Sequence, residues 1–234
     1  MNDTMECVRQ FLIRWQVVAA IFTAIGTISL ALWAVYRDTI RQWFYRPKLH
    51  LRPGPFYPDS NIVRLSCDRV KEGFVKACYL QLEVINKGLS SSAQLVEVYV
   101  EKLEKFDGKR FQEDKKFYSM NLLWRHYDQP VLNAIPPRSR RFCTIGRISD
   151  PQYKSLVGDD YTDLQLPNDL SPFRLHLAAI PNTRNDLLPP GKYRLTLAIG
   201  GSNSGKAKIK RIVIQFSGQW RENARDMIAA RVTN

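Results

Sequence analysis

The sequence predicts a mainly β protein: an N-terminal transmembrane α-helix, then an antiparallel β-sandwich, then a short C-terminal helix. Three observations predict it. Residues 15–36 (WQVVAAIFTAIGTISLALWAVY) contain no charged side chain. Downstream, apolar and polar residues alternate with period two in run after run, separated by proline, glycine and serine, the pattern of half-buried strands joined by turns. Beyond Gly218 the apolar spacing lengthens to three and four, the spacing of a helix face. The expected organisation is a short segment over 1–14, the membrane helix over 15–36, a basic aromatic extension over 37–47, the sandwich over 48–218 and a closing helix or tail over 219–234.

A helix over 15–36 rises to about 33 Å, enough for a hydrocarbon core of about 30 Å. A cleaved signal peptide has a shorter apolar region and a basic start. Here Asp3 and Glu6 precede the apolar stretch, and bulky Trp33 spoils the Ala31–Ala34 cleavage pattern, so the helix is expected to be retained. Trp15, Trp33 and Tyr36 lie at its two ends, where amphipathic rings favour the membrane interface. Trp43 follows, among Arg37, Arg41, Arg46 and Lys48, and these are the expected headgroup contacts. Pro47 discourages further helix. Arg9 and Arg14 precede the helix, whereas Arg37, Arg41, Arg46, Lys48 and Arg52 follow it. This bias predicts an inner-membrane protein with its N-terminus outside and its body in the cytoplasm. Within the span, Ala19, Thr23, Thr27 and Ala31, with Ala20 and Ala24, recur every fourth residue. Such a stripe of small residues lets two membrane helices approach closely. A second copy of the chain, or another membrane protein, is the partner it implies.

The body begins with Leu49 and Leu51 alternating against Lys48, His50 and Arg52, a short strand that the flanking prolines confine to an edge. Ile62, Val63 and Leu65 suggest another. In residues 74–86, Leu80, Leu82 and Val84 share one face, and Gln81 and Glu83 share the other. After Asn86-Lys87-Gly88 and a serine run, Val96, Val98 and Val100 alternate against Glu97 and Glu101. The two runs, joined by a short polar loop, read as a pair of antiparallel strands. The stretch Val84-Ile85-Asn86-Lys87-Gly88, with Ala93 and the valine-rich run after it, resembles the V-x-N-x-G…A signature of immunoglobulin-like sandwiches of the CARDB type. That resemblance implies a sandwich of about seven strands whose signature joins two neighbouring strands. It also implies a binding or spacer role. Modules of this type are usually extracytoplasmic, the opposite of what the charge bias predicts.

Asp107-Gly108 marks a turn in the charged excursion 107–118. Residues 121–124 and 131–135 are short apolar pieces, and Pro136-Pro137 leads into Arg138, Arg140 and Arg141 and a strand through Phe142, Thr144 and Ile145. Residues 150–172 are irregular, and their aspartates, Asp159, Asp160, Asp163 and Asp169 among them, lack the register of a calcium loop and read as loop solvation. Phe173, Leu175 and Leu177 then alternate with Arg174 and His176. Tyr193, Leu195, Leu197 and Ile199 alternate next, followed by Ile212, Ile214 and Phe216. Trp220, Ala224, Met227 and Ile228 suggest the closing helix.

Gly200–Ala207 (GGSNSGKA) comes within one residue of a phosphate-binding loop. Ala207 has no hydroxyl for magnesium, and the next residues are strand-forming where a true phosphate loop opens a helix. A hairpin between 192–199 and 208–216 is expected instead. His50, His126 and His176 are scattered, and no nucleophile elbow or zinc motif occurs. No catalytic, metal or cofactor constellation is predicted.

The formal charge is +13, and two basic segments, 37–141 and 192–234, flank a mildly acidic middle. Such a surface suits an anionic leaflet, nucleic acid or an acidic protein face. Of four cysteines, three lie in the body without metal spacing, which suits a reducing compartment. The leading expectation is a non-enzymatic adaptor that presents a cytoplasmic sandwich to a partner at the anionic leaflet. Two alternatives stand beside it. One is a defence-type membrane effector whose helices assemble to perturb the bilayer. The other is nucleic-acid binding through Lys206, Lys208, Lys210 and Arg211, a cluster that also reads as a charged, aggregation-protected edge strand.

Overall fold

Prolines and bulges decide where this chain pairs and where it stops. In the computed structural model, the described residues are 2–54, 62–67, 69, 71, 73–125, 127–159 and 164–233, with the backbone alone for 2–14 and 38–44. The side chains of Arg41 and Trp43, and His126, Asp160 and Asp163, lie outside them. The chain divides into two units, Met1–Tyr45 and Arg46–Asn234.

The first unit is one helix, α1 (Asn2–Phe44). It runs unbroken from the segment before the apolar stretch into the basic extension, and stops short of Pro47. Trp15–Arg37 is long and apolar enough to cross a membrane, and none of it is buried. Trp15, Phe22, Trp33 and Tyr36 are each more than half exposed. The hydroxyls of Thr23 and Thr27 donate to Ala19 O and Thr23 O, both at 2.8 Å. These bonds within the helix leave no threonine donor unpaired in the apolar stretch.

The second unit is a sandwich of two antiparallel sheets. Its first sheet contains β1 (Leu49–Pro53), β2 (Ile62–Ser66) and β3 (Phe74–Asn86). The second contains β4 (Ala93–Phe106), β5 (Phe111–Glu113), β6 (Met120–Asn121) and β7 (Val131–Ile135). The chain then returns to the first sheet with β8 (Arg140–Ser149), β9 (Phe173–Leu175) and β10 (Leu187–Leu188). It finishes in the second with β11 (Gly191–Gly200), β12 (Lys208–Phe216) and β13 (Ile228–Thr233). The orders are β1-β3-β8-β9-β10 and β13-β12-β11-β4-β5. In addition, β2 pairs with β3, and β6 and β7 pair with β4. β1 and β2 pair with successive parts of β3, 82–86 and 74–78, because Pro53 ends the first of them.

The core lies between the sheets. Leu80, Leu82 and Val84 of the first sheet and Val96, Val98 and Val100 of the second are each at most 1% exposed, as are Leu195, Leu197, Ile212 and Ile214. The period-two runs therefore mark the core face as expected. A bulge shifts the β3–β8 register between Leu80 and Gln81. Gly146 lies beside it, and a Cβ there would sit 2.3 Å from Arg174 O, so only glycine permits this approach of β8 to β9.

Three expectations are corrected. The runs 74–86 and 94–106 are not a paired hairpin and are not neighbours: β3 and β4 lie in different sheets, and residues 87–92 cross between them. Asn86 anchors the crossing. Its Oδ1 accepts from Lys48 N and Gly88 N at 3.2 and 2.9 Å, and its Nδ2 donates to Ser91 O and Ile135 O at 2.8 and 3.1 Å. Second, the polar face of β3 is not solvated: Gln81 and Glu83 are 7% and 0% exposed. Third, Asp159 does not solvate its loop. It is buried and takes Arg147 at 3.1 Å, Arg174 at 3.0 Å and the Ser149 hydroxyl. The short C-terminal helix forms as expected, as a single turn, α2 (Ala224–Met227), capped by Asn223 Oδ1 accepting from Arg225 N at 3.0 Å. The chain beyond it continues as the edge strand β13, paired with β12 from Phe216 to Arg211.

Candidate anion-binding surfaces

The hairpin between β11 and β12 forms as expected, in register from Gly191↔Phe216 to Ile199↔Lys208. Its loop is docked onto the start of β4. Asn203 Oδ1 accepts from Gln94 N at 3.0 Å, Asn203 Nδ2 donates to Ser92 O at 2.9 Å, and Ser202 N donates to Gln94 O at 2.9 Å. Gly201 N donates to Ser204 Oγ at 2.8 Å, and Ser204 N to Gly201 O at 3.0 Å. A phosphate loop cradles its ligand with free backbone amides, and the amides of residues 201, 202 and 204 are already spent on the protein. The strand β12 follows where a phosphate loop would open a helix.

The docked loop has a second effect: it brings the two basic segments of the sequence together. Lys208 and Lys210 share strand parity with the core residues Ile212, Ile214 and Phe216, so they continue the inward face of β12 beyond the end of the core. There they meet β1 and the β3–β4 crossing. Partial burial holds the His50 imidazole below its usual pKa, and the charges of Lys208, Lys87, Lys210 and Lys48 lower it further. The Arg46 guanidinium lies 3.4 Å from where a Cβ on Gly205 would sit, which places Lys206 next to it in the chain. Lys48, His50, Lys87, Lys208 and Lys210 thus gather on one face, and Arg46 lies against the loop of the same hairpin. Arg211, of opposite parity, is separated from them: it lies in the field of Glu104, which Arg194 holds in a two-point ion pair. Residues 208–210 extend past the pairing with β13, whose register reaches only to Arg211↔Thr233. On the other side they pair with β11, Lys208↔Ile199 to Lys210↔Leu197.

A second basic site was not legible in the sequence. Between β1, β8 and the 124–127 turn lies a hollow of about 820 Å³, lined by Arg52, Arg125, Arg138, Arg140, Arg141 and Glu83. Arg52 stands directly opposite Glu83 across the β1–β3 pair and forms an ion pair with it. Arg140 reaches the same carboxylate at 3.2 Å. Hydrogen bonding from Arg52 lowers the Glu83 pKa; burial raises it, and Arg140 lowers it again, the net direction being down. Arg125 donates to Gln81 Oε1 at 3.0 Å. Arg138 sits in the turn closed by Ser139 N donating to Pro136 O at 3.3 Å, with φ +56°. That is the third position of a type II turn, where glycine is favoured. The sequence shows the turn residues Pro136-Pro137-Arg138-Ser139 and the arginines after them, but not that the fold gathers Arg52 and Arg125 beside them.

Other reactive groups are held quiet. Burial pushes the Cys78 thiol up to about 12 and the Cys143 thiol higher still, so both stay protonated and are poor nucleophiles. Burial also lowers the pKa of His176, and Arg147 adds to the effect.

No protein-family model matches this chain, and no curated protein or solved structure matches it either.

Proposed function

We propose that this chain is a single-pass membrane-anchored binding protein, not an enzyme, whose cytoplasmic sandwich holds its basic face against an anionic leaflet. The observation that carries this is the gathering of Lys48, His50, Lys87, Lys208 and Lys210 on one face, with Arg46 against the loop of the same hairpin. Arg46 directly follows Tyr45, the last residue of the helical unit. The excess of arginine and lysine after the span over that before it favours a cytoplasmic body, and the cytoplasmic leaflet is the anionic one.

The sandwich belongs to the immunoglobulin-like type. In support, the Tyr193 hydroxyl donates to Pro189 O at 2.8 Å, the upstream backbone bond of the tyrosine corner in such domains. Asn86 holds the sheet-to-sheet crossing in the stretch that carries the signature. The stripe of Ala19, Ala20, Thr23, Ala24, Thr27 and Ala31 pairs α1 with a second membrane helix. With both threonine hydroxyls turned back onto the helix, the stripe offers a smooth, small surface to a neighbour.

Among the described residues, every member of the buried core belongs to the body, so residues 46–234 can be tested alone. Each lysine near a charged leaflet contributes about 1 kcal/mol. At low ionic strength the body is expected to sediment with phosphatidylglycerol vesicles and not with phosphatidylcholine vesicles. The Lys206→Glu/Lys208→Glu/Lys210→Glu variant is expected to bind at least ~100-fold more weakly. Equal binding by the variant would end this reading. Steep salt-dependent binding of DNA in place of vesicles would move it to nucleic acid.

A further inference from the structure

The arginine-lined hollow carries more positive charge than the sandwich uses. Five arginines face one carboxylate there, and Arg52 and Arg140 already share that carboxylate. None of the ion pairs among the described residues engages Arg125, Arg138 or Arg141. Guanidinium groups gathered without counter-charge repel one another, and a bound oxyanion relieves that repulsion. Trp124 forms part of the wall. It is 1% exposed, and its indole N–H meets no acceptor among the described residues. Arg138, finally, occupies a left-handed backbone position that disfavours every side chain relative to glycine.

We propose that this hollow binds a soluble phosphate-bearing ligand of the diphosphate or nucleotide class, held by Arg125, Arg138 and Arg141. A single carboxylate would offset one of the four excess positive charges, whereas a diphosphate group offsets about three, and the planar guanidinium fork matches phosphoryl oxygens. The volume, about 820 Å³, is in the range of small-molecule sites. Tyr127 and Phe142 in its lining offer ring faces for a nucleobase. The site is independent of the leaflet-facing reading, because none of Lys206, Lys208 and Lys210 lines it.

The test is calorimetric titration of the full chain, in nanodiscs of zwitterionic lipid at about 0.1 M salt, with inorganic pyrophosphate. Saturable binding is expected, weakened at least about tenfold in both Arg138→Gly and Arg141→Gln. It is expected to be unchanged in Lys206→Gln/Lys208→Gln/Lys210→Gln, and citrate is expected to bind at least about tenfold more weakly than pyrophosphate. Glycine suits the backbone at position 138, so Arg138→Gly keeps its fold, which thermal unfolding verifies. Absence of saturable binding would overturn the proposal, as would unchanged affinity in the two arginine variants. Loss of binding in the lysine variant would place the anion on the other face. Citrate binding as tight as pyrophosphate would remove the phosphoryl assignment. Displacement of pyrophosphate in anionic nanodiscs would assign the hollow to a lipid headgroup in place of a soluble ligand.

Discussion

The Asn86 side-chain amide donates to Ile135 O at 3.1 Å, tying the end of β3 in one sheet to the end of β7 in the other. With its bonds to Ser91 O, Lys48 N and Gly88 N, this one buried residue satisfies four backbone groups at the point where the chain crosses the sandwich. Asn86→Ala leaves those groups unpaired and is expected to destabilise the body by on the order of 3 kcal/mol. Asn86→Asp keeps the acceptor and loses the donor. Its buried carboxylate is disfavoured, so its folded pKa lies above the unfolded value and stability is lost as pH rises through the carboxylate range. Chemical denaturation of both variants across acid and neutral pH checks this.

Glu83 predicts an asymmetry. Its carboxylate is fully buried, while the side chains of Arg52 and Arg140 are 59% and 64% exposed. Glu83→Gln releases two arginines that water can solvate, and is expected to lower stability by only about 1 kcal/mol. Arg52→Ala/Arg140→Ala strands a buried charge and is expected to lower it by about 3 kcal/mol or more. Urea midpoints compare the two. In the wild type the Glu83 pKa is depressed. Its contribution is therefore complete above the unfolded value of about 4.3 and is lost as pH falls through the lower folded value.

Arg138→Gly separates stability from binding. Glycine relieves the positive φ of the turn and raises the entropy of the unfolded chain, and the two effects oppose each other. The variant is expected to match the wild type or exceed it by up to about 1 kcal/mol while losing anion affinity. A melting curve beside a binding isotherm reads both.

His50 reports on the basic face. Its pKa is lowered by partial burial and by the surrounding lysines. Anionic lipid set against those lysines cancels part of their field, so the pKa is expected to rise toward the usual imidazole value. In phosphatidylcholine it is expected to stay low. NMR titration of His50 in the two lipids measures the difference.

The alternating runs at 80–84, 96–100, 193–199 and 212–216 were legible because their period places one face in a core, and each of those faces is buried. Partnership was not legible. β3 and β4 are consecutive and period-matched, but nothing local distinguishes a hairpin from a crossing between sheets. Glu83 and Asp159 looked solvated because a charged residue normally is. Only the topology, with β1 and β8 flanking β3, brings Arg52 and Arg140 onto Glu83. The lysines of the β12 hairpin were visible as a cluster. Their union with Arg46 and Lys48 was not, since it depends on the docked loop at Gln94. Residues 228–233 read as a tail because the helical spacing before them hid a short strand.

The most direct measurement is amide hydrogen exchange of the full chain in nanodiscs, followed over residues 205–210. If this face lies on an anionic leaflet, this end of the hairpin exchanges more slowly in phosphatidylglycerol than in phosphatidylcholine, and the difference disappears at about 1 M salt. Equal exchange in the two lipids at low salt would contradict the account.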